Sequence, residues 1–189
     1  MNLPPAAPRN HKHTRTISCE GYQREDGLWD VEARIVDTKP FRYRETIRGA
    51  REPSQAVHDM AVRLTLDDTM LVRDIQVAML SVPYGACSSA LPAFKGLIGK
   101  TIGTGWRRAV QECVGGTKGC THMRELLLPM ATVAFQTRWG WPEEGTPLSS
   151  PNPESKELPH FVDGCKAWAV DGEVVAQLYP HFHRKPKAG

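Results

Sequence analysis

His58-Asp59-Met60-Ala61-Val62-Arg63-Leu64-Thr65-Leu66 alternates cleanly, with Met60, Val62, Leu64 and Leu66 all facing one way. A period of two marks a strand buried on one side. Asp67-Asp68 supplies a turn, and Met70 to Leu80 continues as the partner strand with Leu71, Ile75, Val77 and Met79 on one side. Upstream, Thr14 to Tyr22 and Leu28 to Val36 also suit strands. In the second, Trp29, Val31, Ala33 and Ile35 face opposite to Asp30, Glu32 and Arg34, and the intervening Asp26-Gly27 is a strong turn signal. Two hairpins make an antiparallel sheet, one face of which must be covered by the segments that follow.

Those segments have helical spacing. Cys87-Ser88-Ser89 leads into Ala90 to Ile98, which Gly99 closes. Gly103-Thr104-Gly105 opens a second helix, Trp106 to Val114, and Gly115-Gly116 ends it. A third runs from Thr121 to about Thr137, with Met123, Leu126, Leu127, Met130, Val133 and Ala134 as its buried stripe. Pro129 lies beyond the first turn, so a kink near Glu125 is expected. Between the hairpins, Lys39 to Gln55 carries Pro40, Gly49, Pro53 and several arginines; it reads as a solvated basic connection with some capacity to hold an anion.

The expected class is α+β, an antiparallel sheet of two hairpins covered by three helices, with a C-terminal hairpin. The organisation expected is a disordered lead over 1–13, a core domain over 14–138, a linker or long loop over 139–159, and a hairpin with a basic tail over 160–189. His11 and His13 fall in the lead and carry no expected structural role. In the tail, Asp171-Gly172 lies between two short apolar runs, which suggests the last hairpin.

Charge narrows the functions open to the chain. Its 24 Lys and Arg stand against 21 Asp and Glu, a net charge of +3, with both signs interleaved. That balance argues against a nucleic-acid partner. The longest apolar stretch, Leu126 to Phe135, is interrupted by Pro129 and Thr132 and is too short for a bilayer span, so no membrane partner is expected. The N-terminus lacks a secretory pattern, making a cytoplasmic location the default. Self-association and the identity of a small-molecule or protein partner are left open. Cys19, Cys87, Cys113, Cys120 and Cys165 are odd in number and widely spaced, which points away from a disulfide framework.

Four side chains lie at element ends. His58 begins a strand, Cys87 precedes the first helix, and Cys120 and His122 open the third after Gly115-Gly116-Thr117-Lys118-Gly119. Two thiolates and two imidazoles form a tetrahedral ligand set suited to zinc or iron. Each residue also has a plainer role as a buried cysteine or a terminal histidine. A cofactor-free alternative uses Cys120 or Cys87 as a nucleophile, with His58 or His122 holding the thiolate. A third alternative is a non-catalytic interaction domain in which the four residues lie apart. Cys19 and Cys113 suit the core, and Cys165 is a remote candidate for a fifth ligand.

Gly21 to Glu32, His58-Asp59-Met60, Pro83-Tyr84-Gly85-Ala86-Cys87, Gly105-Trp106 and Gly119-Cys120-Thr121-His122 together resemble a proteobacterial family catalogued as domain of unknown function 2889. The resemblance covers about Thr14 to Tyr179 and implies a fold family, with no activity attached. More distantly, the order of His58, Tyr84-Gly85-Ala86-Cys87 and the Cys120 helix is similar to the scaffold proteins of iron-sulfur cluster assembly. That resemblance implies a sheet followed by helices, with ligands at the positions of His58, Cys87, Cys120 and His122. A histidine stands where one scaffold cysteine would be, and the late pair is spread and reversed. The exchange favours a stable zinc or mononuclear iron site over a transient cluster.

Overall fold

The computed structural model describes residues 3–139, 157–159 and 161–184. Among them are β1 (Thr14–Gln23), β2 (Trp29–Thr38), β3 (Tyr43–Glu45), β4 (Gly49–Arg51), β5 (Ala56–Leu66) and β6 (Val72–Ser81). A 3-10 segment, Gly85–Leu97, follows, then α1 (Trp106–Val114), α2 (Thr121–Trp139) and α3 (Glu173–Leu178). The chain divides into two compact units, Met1–Trp139 and Gly140–Gly189.

The first unit is α+β. Its main sheet is antiparallel in the order β1-β2-β5-β6, and β3-β4 form a separate hairpin between β2 and β5. The alternation read from the sequence decides which face is buried: Val31, Ala33, Ile35, Met60, Val62, Leu64 and Leu66 are at most 3% exposed. Register aligns these positions, with Ile35 opposite Met60, Ala33 opposite Val62 and Val31 opposite Leu64. Directly opposed residues point to the same side, so the row continues to the next opposed pair on that face, Asp37 and His58.

The partner strand starts later than expected. Met70 has φ +65° and is buried in the turn, where Asp67 accepts hydrogen bonds from the N–H groups of Thr69 and Leu71. A register shift between Thr65 and Leu66 then puts Val72, rather than Leu71, opposite Leu66.

Helix α2 lies against β1, β2 and β5, burying Met123, Leu126, Leu127, Met130 and Ala134. It runs through Pro129 as a single element, although that residue offers no N–H to the carbonyl of Glu125. Helix α1 buries Trp106, Val110 and Val114, one per turn, and the Trp106 indole donates to the Leu127 carbonyl at 2.9 Å. The expected first helix consists instead of 3-10 turns. Pro92 interrupts α-helical bonding, and Ser88 and Ser89 donate back to the carbonyls of Gly85 and Ala86 rather than capping.

Two further expectations are corrected. The basic connection is folded rather than loose: Arg48 pairs with Glu45 and donates to Ser81 at 2.9 Å and to the Val57 carbonyl at 3.1 Å. The Arg48 guanidinium is used internally, fastening β3-β4 to the main sheet. In the second unit, the tail holds a 3-10 turn, Lys166–Trp168, and α3 where a hairpin was expected. Gly172 precedes the helix, and Glu173 places a negative charge in its first turn, which favours helix initiation. Phe161, Trp168 and Tyr179 cluster there, with ring centroids 4.6 to 6.1 Å apart. The expected linker over 139–159 and the basic tail lie largely outside the described residues.

Candidate metal centre

Asp37 occupies a core-face position on β2 and is 1% exposed. A buried carboxylate must be paired and hydrogen-bonded. Here Oδ1 accepts from Arg15 Nε at 2.8 Å and His13 Nε2 at 3.0 Å, while Oδ2 accepts from Arg15 Nη2 at 2.9 Å and His58 Nδ1 at 3.0 Å. Four donors occupy the capacity of an ionised carboxylate. Burial alone would push the Asp37 carboxyl upward, but the bonds from Arg15, His13 and His58 and the Arg15 charge hold it well below the ordinary carboxylate range.

Ionised Asp37 can only accept, so His58 carries its proton on Nδ1 and keeps its lone pair on Nε2. The His58 ring stacks on His122, with centroids 3.8 Å apart and planes 32° apart. His122 lies in the first turn of α2, and its Nε2 is 3.8 Å from Asp37 Oδ2. Burial lowers the pKa of both imidazoles; the charge of His122 lowers His58 further, and that of Arg15 lowers His122. Two neutral imidazoles beside one ionised carboxylate have the protonation states that a metal requires of its ligands.

One donor atom from each of Asp37, His58 and His122 lies within 4.8 Å of the others. Ligands at ~2.1 Å from a tetrahedral ion are ~3.4 Å apart, so closure needs side-chain shifts of about an ångström. Among the described residues this is where metal-binding donor atoms converge.

The residues proposed from sequence are distributed as follows. His58 and His122 are stacked together. Cys120 borders them: its Sγ lies 3.9 Å from His122 Nδ1 and 3.8 Å from Met60 Sδ, and its carbonyl accepts the Arg124 N–H that begins α2. Cys87 is outside the converging set, at the head of the 3-10 segment and within electrostatic reach of Arg48. Cys113 donates to the Gly96 carbonyl at 3.2 Å, Cys19 packs against the core, and Cys165 is exposed in the second unit.

Asp37, Arg15 and His13 were not among the residues singled out from sequence. Asp37 did have a signal, since extending the Trp29-Val31-Ala33-Ile35 face by one step reaches an acid at a buried position. His13, assigned to the lead, is instead tied to Asp37. The opposite face of the sheet forms an open concavity of about 480 Å³, where Arg63 pairs with Glu32 and Arg34 with nearby Asp59. These four charges satisfy one another.

No helix among the described residues is long and apolar enough to cross a membrane. No curated protein and no solved structure matches the chain. The model of one family, described as protein of unknown function (DUF2889), matches residues 13–136, a span that takes in the whole main sheet, α1, nearly all of α2 and every residue around Asp37. The chain belongs to that family.

Proposed function

We propose that the chain is a metal-binding domain whose ligands are Asp37, His58 and His122, with Cys120 beside them as a fourth donor. The convergence of three donor atoms within 4.8 Å, two imidazole nitrogens and one carboxylate oxygen, carries this reading. The set suits zinc or mononuclear iron. With Asp37, His58 and His122 alone as ligands the site keeps a position open, as a catalytic or carrier site requires; recruitment of Cys120 would close it as a structural site. Metal entry exchanges one of the four donors on Asp37, while Arg15 continues to hold the carboxylate.

Elemental analysis of protein purified without a histidine tag tests the proposal. One zinc or iron per chain is expected, with metal content falling in His58→Ala and His122→Ala as their affinity drops at least about tenfold. Substoichiometric metal in the wild-type protein, unchanged in the variants, removes the proposal. Loss of metal on Cys120→Ser brings the thiol into the ligand set.

A second reading rests on a different observation. Cys120 Sγ, His122 Nδ1, His122 Nε2 and Asp37 Oδ2 lie in series, with 3.9 and 3.8 Å gaps between residues. That order suits a thiol nucleophile whose imidazole is backed by a carboxylate. It requires Cys120 to alkylate rapidly at neutral pH, and to slow in His122→Ala; an ordinary thiol rate in both proteins rejects it.

A further inference from the structure

Arg15 divides its guanidinium between two carboxylates of different accessibility. Its Nε and Nη2 hold buried Asp37, while Nη1 holds Glu125 Oε2 at 2.8 Å. Asp37 is 1% exposed, His58 14%, His122 27%, Arg15 33% and Glu125 46%, with His13 at 44%, so the cluster opens to solvent at Glu125 as well as at His13. Glu125 lies three residues after His122 on α2, one helical turn along the same face. Its side chain is thus the outermost member on the α2 side of the cluster, and turning it outward frees Nη1 of the guanidinium whose charge acts on both imidazoles.

The geometry points to Arg15 Nη1 as the anchor for a carboxylate-bearing ligand, seated where the Glu125 carboxylate now rests and facing the metal held by His58, His122 and Asp37. The metal-facing half of this inference rests on the function proposed above; the Arg15 half does not. Charge supports an anion. Arg15, Asp37 and Glu125 sum to −1 with neutral imidazoles; a divalent ion brings the cluster to +1, and outward rotation of Glu125 brings it to +2. His13, on the far oxygen of Asp37, adds only positive charge when protonated. The first turn of α2 contributes in the same sense. A carboxylate is the fitting class because the group now seated on Nη1 is itself a carboxylate, while Nε and Nη2 are held by Asp37. The remaining Nη1 now meets one carboxylate oxygen, and the incoming ligand makes the same contact. No bond is made or broken in this exchange.

Untagged protein, metal-free and reconstituted with Co²⁺, is titrated with glycolate, and with inorganic phosphate for comparison. The ring signals of His58 and His122 report binding in the metal-free form and the visible Co²⁺ spectrum in the loaded form. Removing the internal competitor in Glu125→Ala is expected to tighten glycolate binding about fivefold in both forms, as suits release of a partly exposed ion pair. Glu125→Gln is expected to fall between that variant and wild type, and Arg15→Lys to weaken binding with Co²⁺ still loaded. Phosphate should bind more weakly than glycolate throughout. Equal glycolate affinity in wild type and Glu125→Ala overturns the inference, as does tighter phosphate binding. Failure of Co²⁺ to load defeats the function proposed above while leaving the Arg15 site to be judged on the metal-free Glu125→Ala protein. Absence of glycolate binding there at millimolar concentration overturns it.

Discussion

At the scale of single residues, the chemistry is concentrated on one buried carboxylate and two imidazoles kept neutral. The pKa values of His58 and His122 are lowered chiefly by burial. As pH falls, the unfolded chain therefore takes up protons before the folded chain does. Stability of the metal-free protein should accordingly decrease as pH drops below about 6.5 and through the lower folded values. The lowered pKa of Asp37 acts further down the scale. Its contribution is complete above about 3.9 and is lost only as pH falls through the depressed folded value. Urea denaturation of wild type and His58→Gln between pH 5 and pH 8 should give a flatter profile for the variant, because one titrating group is gone. Matching slopes would mean that His58 is as easily protonated in the folded protein as in the unfolded chain. Of this cluster, the sequence revealed His58 and His122 through their placement at element ends. Asp37 was signalled only by its place one step beyond the Trp29-to-Ile35 face, and Arg15 was not legible, because an arginine on an edge strand ordinarily faces water.

At the scale of elements, β1 and α2 approach closely enough to make one glycine obligatory. A Cβ on Gly21 would stand 1.7 Å from Thr137 Oγ1 and 2.8 Å from its Cβ. Gly21 lies opposite Val31 on the face of β1 turned toward α2, and the Thr137 hydroxyl is fixed by donating to the Val133 carbonyl at 2.8 Å. Gly21→Ala should therefore cost about 1 to 3 kcal/mol by overpacking. Thr137→Ala in the same chain should restore only part of the loss, since its own Cβ remains too near. A double-mutant cycle by thermal denaturation measures this coupling. The consequence extends to the site, because the helix that Gly21 admits is the one that carries His122. Helix α2 itself was legible from its apolar stripe. The 3-10 character of Gly85–Leu97 was not, since helical spacing does not report which backbone acceptor each N–H finds.

At the scale of the molecule, the first unit has its own sheet, covering helices and core, and includes the whole span matched by the family model. A chain ending at Trp139 should therefore unfold in one cooperative transition and keep the far-UV signature of the sheet and α2. Loss of cooperativity on calorimetry would show that the core of this unit is not self-sufficient. The sequence by itself determined the α+β class, the buried faces of β2 and β5 and the stripe of α2, because burial on one side of a regular element imposes a period visible in a linear chain. Tertiary structure alone decided that Asp37 meets Arg15, His13, His58 and His122, because those residues come from β2, β1, the segment before it, β5 and α2. Their proximity depends on strand register and on the seating of one helix. Neither leaves a periodic trace, and a polar residue shows its partner only once the chain has closed around it.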